Sequence, residues 1–129
     1  MRILAAVLFL PLMGCYEDET ISAYGAGDKV WVLSELDSKE FTARATLTFP
    51  EQGKIAGEAP CNTYAGSMIV PYPWFEATQI LSTRMACPDL DAETAFFSAL
   101  SEMTLSEVLG DVLLLSNDNG RQMVFKADG

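Results

Sequence analysis

The chain contains no histidine, so few side chains are left that could do chemistry. The commonest general base and the commonest metal ligand are both missing. A Ser–His or Cys–His nucleophilic pair cannot be assembled within the chain. Three groups remain. The first is an acidic cluster, Asp89, Asp91 and Glu93, whose spacing could bind Ca²⁺ or supply paired carboxylates. The same three residues stand at the start of a helical pattern, where N-capping and the helix dipole account for them without a ligand. The second group is the cysteine pair Cys61 and Cys87. Two thiolates without histidine leave a zinc site short of ligands, so no metal and no cofactor are expected. The third is Asn62 with Tyr64 in "CNTYAG". These two could face a ligand together, or Asn62 could cap a turn in which Gly66 takes a left-handed position.

Bulk composition narrows the partners. At 129 residues, half of them hydrophobic, the chain can build one modest domain around one core. Eight basic residues stand against eighteen acidic ones, a net charge of −10. Phosphate backbones would be repelled, so no nucleic-acid partner is expected. Solubility alone accounts for the acidity.

The first fifteen residues read "MRILAAVLFLPLMGC". Arg2 is a short positive head, Ile3 to Leu10 an unbroken apolar run, and Pro11 a helix breaker. This is the pattern of a secretory signal, too short to span a bilayer. Its end, "LMGC", resembles the bacterial lipobox through Leu12, Gly14 and Cys15. The resemblance implies cleavage after residue 14 and acyl chains on Cys15, which anchor stably when more than one is present. Loss of Arg2 would leave seven basic and eighteen acidic residues, a net of −11. The segment 15–28 is acidic, carries Gly25 and Gly27 and lacks apolar periodicity, so a flexible tether is expected there. Tyr16 rather than Asp follows Cys15; similarity to Gram-negative lipoproteins then implies the outer membrane, facing the periplasm. With Cys15 lipidated, Cys61 and Cys87 are an even pair in an exported chain. That invites a disulfide; two buried thiols acting as small core residues are the alternative.

Elements must position these groups, and the pattern predicts mostly strands. "KVWVLSEL" places Trp31, Leu33 and Leu36 as buried positions. In "RATLTF" Ala45, Leu47 and Phe49 face one way. "PEQGK" is a turn, so residues 43–59 are expected to form a hairpin. "FEATQIL" alternates as a strand, and "VLLLS" and "RQMVFK" flank the turn "NDNG". One segment, Asp91 to Met103, instead puts Ala92, Phe96, Ala99, Leu100 and Met103 on one helical face. The expected fold is mainly β: a small antiparallel, barrel-like sheet with one α-helix, after the signal (1–14) and tether (15–28).

At 29–127 the chain resembles the META domain family, which includes the HslJ heat-shock lipoproteins. Gly57, Cys61-Asn62, Tyr64 and Gly66 match one motif. Ser82-Thr83-Arg84-Met85-Ala86-Cys87-Pro88, followed by Glu93, Phe96-Phe97 and Ala99-Leu100, matches a second. Trp31 and Leu33 match the opening, and Leu113, Leu115 and 123–125 the close. Pro60 departs from the Gly that often precedes the cysteine in the family. The resemblance implies a barrel-like sheet with one helix and no generally assigned enzymatic activity. It also draws attention to Arg84, inside the second motif. Arg84 joins Asn62 and Tyr64 as a candidate binding surface; a salt bridge, or stacking on Tyr64 or Trp74, is its structural alternative.

The expected function is therefore a non-enzymatic envelope lipoprotein with a stress link. Its expected partners are the membrane, through the lipid anchor, and a protein or small ligand that the sequence does not name. The alternative is a ligand-binding module, or an inhibitor of a hydrolase such as lysozyme, to which an acidic surface would be suited if the enzyme is basic.

Overall fold

The computed structural model describes residues 18–128. The signal (1–14) and Cys15 lie outside the described residues. Alternating apolar residues make the strands, and the buried half of each alternation makes the core. Among the described residues nine strands and one α-helix follow in order: β1 Trp31–Leu36, β2 Lys39–Glu40, β3 Thr46–Leu47, β4 Lys54–Glu58, β5 Thr63–Ser67, β6 Thr78–Ser82, α1 Leu90–Glu102, β7 Leu105–Leu109, β8 Val112–Ser116 and β9 Gln122–Ala127. Trp31 and Leu33 are buried, as are Ala45, Leu47 and Phe49, and Leu113, Leu115, Met123 and Phe125. Period-two burial is what a sheet packed on one face requires.

All strand pairs are antiparallel. One sheet runs β2-β1-β9-β8-β7, with β3 also paired to β1; the other runs β4-β5-β6. A single bridge, Thr48 to Ala56, joins them through the expected 43–59 hairpin, whose turn places Gly53 at φ +79°. At the far side Trp74 bridges to Leu105. The barrel is not closed. Among the described residues no strand pairs with the outer edge of β6. The register of β5 against β6 shifts between Ala65 and Ser67, and Gln79 stands at φ +54°, a bulge that bends this edge strand. Helix α1 covers the inner side of the gap: Phe96, Ala99, Leu100 and Met103 are buried, as the spacing predicts.

Two expectations change. Residues 18–28 are not a free tether. Ile21–Tyr24 form a 3₁₀ turn, and Ile21 and Ala26 are fully buried. Asp18 accepts the Thr20 amide at 2.8 Å and the hydroxyls of Thr20 and Ser22. The Trp31 indole N–H donates to the Ala26 carbonyl at 3.1 Å. Two buried apolar side chains without periodicity are enough to dock so short a segment. The second change is Gly66, which lies inside β5 rather than in a turn. A Cβ there would stand 2.4 Å from Ile80 Cδ1, so glycine serves the close approach of β6.

The β1–β2 turn places Asp37 at φ 51° and Ser38 at φ 67°, as a two-residue hairpin requires. Arg121 Nε and Nη2 donate to Asp37 Oδ2 at 3.1 and 2.9 Å, and the Gln122 amide donates to Oδ1 at 3.1 Å. The Arg121 guanidinium, opposed by slight burial and helped by the Gln122 amide, holds the Asp37 carboxyl below its ordinary range. A depressed folded pKa means stability that is present above the unfolded value, about 3.9. That stability is lost as the pH falls through the lowered folded value. Asp37→Asn keeps a residue type that tolerates the left-handed turn and removes the ion pair. Both partners are partly in water, so the expected loss at pH 7 is under about 1 kcal/mol. In urea unfolding, the gap between the two proteins should close as the pH is taken from neutral to below the carboxylate range. A gap that is unchanged with pH would contradict a role for the charge.

Candidate functional site

The clearest polar construction in the molecule sits where β5 begins. Cys61 and Cys87 are bonded, with Cα atoms 5.6 Å apart. Asn62 follows Cys61 and is buried. One turn into α1, Glu93 is also buried, at 5% exposure. Its Oε1 accepts the backbone N–H groups of Cys61 and Asn62, each at 2.9 Å, and its Oε2 accepts the Asn62 side-chain amide at 2.7 Å. Asn62 spends its remaining capacity on the segment before the helix. Its Nδ2 donates to the Met85 carbonyl at 3.0 Å, and its Oδ1 accepts from Thr83 Oγ1 at 2.9 Å and the Met85 amide at 2.6 Å. Both amide hydrogens and both lone pairs are used, as burial demands.

Tyr64 is buried as well, and its hydroxyl donates to the Thr46 carbonyl at 2.6 Å. Burial pushes the phenol pKa up, which keeps the group a donor. Gly57 makes this contact fit, because a Cβ there would stand 2.2 Å from the Thr46 oxygen and 2.9 Å from the Tyr64 oxygen. The Tyr64 ring packs edge-on against Phe96 and Phe97, with centroids 5.6 and 5.4 Å away. Asn62 and Tyr64 thus face inward, and the expected ligand-facing pair is a structural one. Arg84 is the opposite case. It is exposed, and the ion pairs among the described residues are Lys29–Asp111, Arg44–Glu58 and Arg121 with Asp37 and Glu102. The expected salt bridge or ring stacking of Arg84 is not formed among them.

What reaches solvent is the segment 82–86, exposed throughout although Thr83 and Met85 are pinned from below by Asn62. Between it and α1 lies a cleft of about 360 Å³, lined by Arg84, Met85, Leu90, Thr94 and Phe97 over a floor of Asn62 and Glu93. Met85 and Leu90 are 64% and 45% exposed. The acidic cluster does not converge. Asp91 is exposed and Asp89 holds the cap position without a side-chain bond, while Glu93 turns into the core. Among the described residues no three His, Cys, Asp or Glu side chains come together as a metal site.

The "GEAPCNTYAG" and "STRMACPD" segments therefore meet at one disulfide and one carboxylate. The META domain family model matches residues 26–129. The chain belongs to the META domain family. Solved structures share the fold. A Burkholderia xenovorans protein determined by NMR is 25% identical with a TM-score of 0.66, over 84% of this chain and 86% of that one. A crystallised duf4847 family protein from Bacteroides vulgatus is 14% identical with a TM-score of 0.61, over 82% and 95%. No curated protein matches. Sequence reasoning also misplaced Glu93 in this META domain, accounting for it by the helix dipole alone. A signal existed: Glu93 stands three residues before Phe96 and seven before Leu100, on the apolar face of the helix.

Proposed function

We propose that this META protein is a non-enzymatic lipoprotein of the bacterial envelope. Acyl chains on Cys15 would hold it to the periplasmic face of the outer membrane, with the stress link that likeness to HslJ-type proteins implies. One observation carries the reading: the lipobox-like "LMGC" closes on Cys15, three residues before Asp18, which is tied into the described domain by accepting the Thr20 amide. The buried chemistry supports the non-enzymatic half. Glu93, the acid best sheltered from water, is occupied by three internal donors, and Asn62 has no capacity left. A general acid or base needs a free edge toward substrate.

A second reading, a ligand-binding or hydrolase-inhibitor module on the same anchor, is favoured by the cleft beside Arg84. A pinned backbone presenting exposed Arg84, Met85 and Leu90 is preorganised for a partner.

The anchor is tested by Cys15→Ser. The variant should leave the membrane fraction for the soluble periplasm and lose labelling by radioactive palmitate. Label retained by the variant would show that Cys15 is not the acylated residue.

A further inference from the structure

Strand β8 is apolar on both faces. Leu113 and Leu115 point into the core, whereas Leu114 lies on the outer face, half-buried. Pairing places Leu105, Glu107 and Leu109 of β7 opposite Ser116, Leu114 and Val112, so these side chains share that outer face. An antiparallel sheet that met only water there would alternate to polar residues. Trp74, bridged to Leu105, is 57% exposed, and so is Leu109. Tyr72 lies alongside: Tyr72 and Pro73 line a depression of about 300 Å³ together with Leu105 and Leu114. Tyr24, 51% exposed, stacks on Tyr72 with ring centroids 4.7 Å apart.

The start of the domain runs along the same edge. The Tyr72 amide donates to the Glu19 carbonyl at 2.8 Å, and the Val108 amide donates to the Tyr72 hydroxyl at 3.0 Å. Only Tyr16 and Glu17 separate Asp18 from Cys15. Three residue steps span at most about 11 Å. A domain fixed at Asp18 and acylated at Cys15 cannot stand clear of its membrane. Tyr and Trp are the side chains that settle at the headgroup level of a bilayer.

We propose that the face formed by Tyr24, Tyr72, Trp74, Leu105 and Leu109 rests on the headgroup layer of the membrane that holds the anchor. The inference rests on the acylation of Cys15 given above. Its lipid is zwitterionic. Exposed Glu107 lies on this face between Leu105 and Leu109, and exposed Glu19 lies beside Tyr72; carboxylates can pair with a headgroup ammonium but are repelled by a net negative lipid surface.

The test uses the acylated, full mature protein in vesicles of zwitterionic phospholipid, with and without bromine atoms high on the acyl chains. Trp31 is fully buried and Trp74 exposed, so any quenching reports Trp74. Emission should fall in the brominated vesicles. Trp74→Phe should abolish that fall while the protein still floats with the vesicles and keeps its far-ultraviolet circular dichroism. Protein that floats but is unquenched overturns the docking face and leaves the anchor intact. A Trp74 that is unquenched but becomes crosslinkable to a second copy shows that the face takes protein instead, and also overturns it. A chain isolated without acyl groups, and absent from the floating fraction, overturns both.

Discussion

Replacing Glu93 with alanine should destabilise the domain by about 3–5 kcal/mol, the range for leaving buried partners of a charged group unpaired. The Cys61 and Asn62 amides and the Asn62 side chain would lose their acceptor together. Glu93→Gln isolates the reason. One amide oxygen can still serve the two backbone N–H groups, but the new NH₂ would meet the Asn62 NH₂, donor against donor. Asn62 cannot flip in response, because its oxygen already accepts from Thr83 and Met85. A loss of about 2 kcal/mol is therefore expected even for this isosteric change. Urea unfolding at neutral pH measures both. A Gln variant as stable as the parent would show that the carboxylate is not the acceptor on which the segment depends. Against a total stability of about 5–15 kcal/mol, the alanine change would leave some molecules unfolded if the domain lies near the lower end.

Reduction of the Cys61–Cys87 bond should cost almost as much. The bridge joins residues 26 apart in sequence, and closing a loop of that length restricts the unfolded chain by about 3.5 kcal/mol. The double change Cys61→Ala with Cys87→Ala should lower the urea midpoint correspondingly, and reductant should then have no further effect. The backbone around the bridge is held independently by Asn62 and Glu93, so the reduced protein should refold to the same structure at lower stability rather than rearrange. A midpoint unmoved by reductant would contradict the bridge. Loss of all fixed structure on reduction would contradict the supporting role of Glu93.

These two sites also show what could be read from residues alone. Strands built on strict alternation, such as that through Ala45, Leu47 and Phe49, were legible because period-two burial has few rivals. The helix was legible from Phe96, Ala99, Leu100 and Met103. Strand β7, "LSEVL", and strand β5, "TYAGS", were not. Their residues are mixed, and cross-strand pairing decides their state more than propensity does. The inward turn of Asn62 and Tyr64 was illegible for a related reason. Polar residues beside a turn satisfy a capping role equally well; the arrival of Glu93 from 31 residues away commits Asn62 to the core, and the Thr46 carbonyl with the Phe96 and Phe97 rings commits Tyr64. Arg84 was legible as a candidate binding residue, with a salt bridge or ring stacking as its alternative, but the shape of its cleft depends on where α1 lies. The docking of residues 18–28 rests on two buried side chains, Ile21 and Ala26, too few to leave a period.

The central proposal, a META domain held against a membrane by its own first residue, is tested most directly by intact mass and N-terminal peptide mass of the protein isolated from its native envelope. The predicted result is a chain beginning at Cys15, carrying a diacylglycerol thioether and an acylated amine, with Cys61 and Cys87 still joined. A chain that begins elsewhere, or an unmodified Cys15, would contradict it.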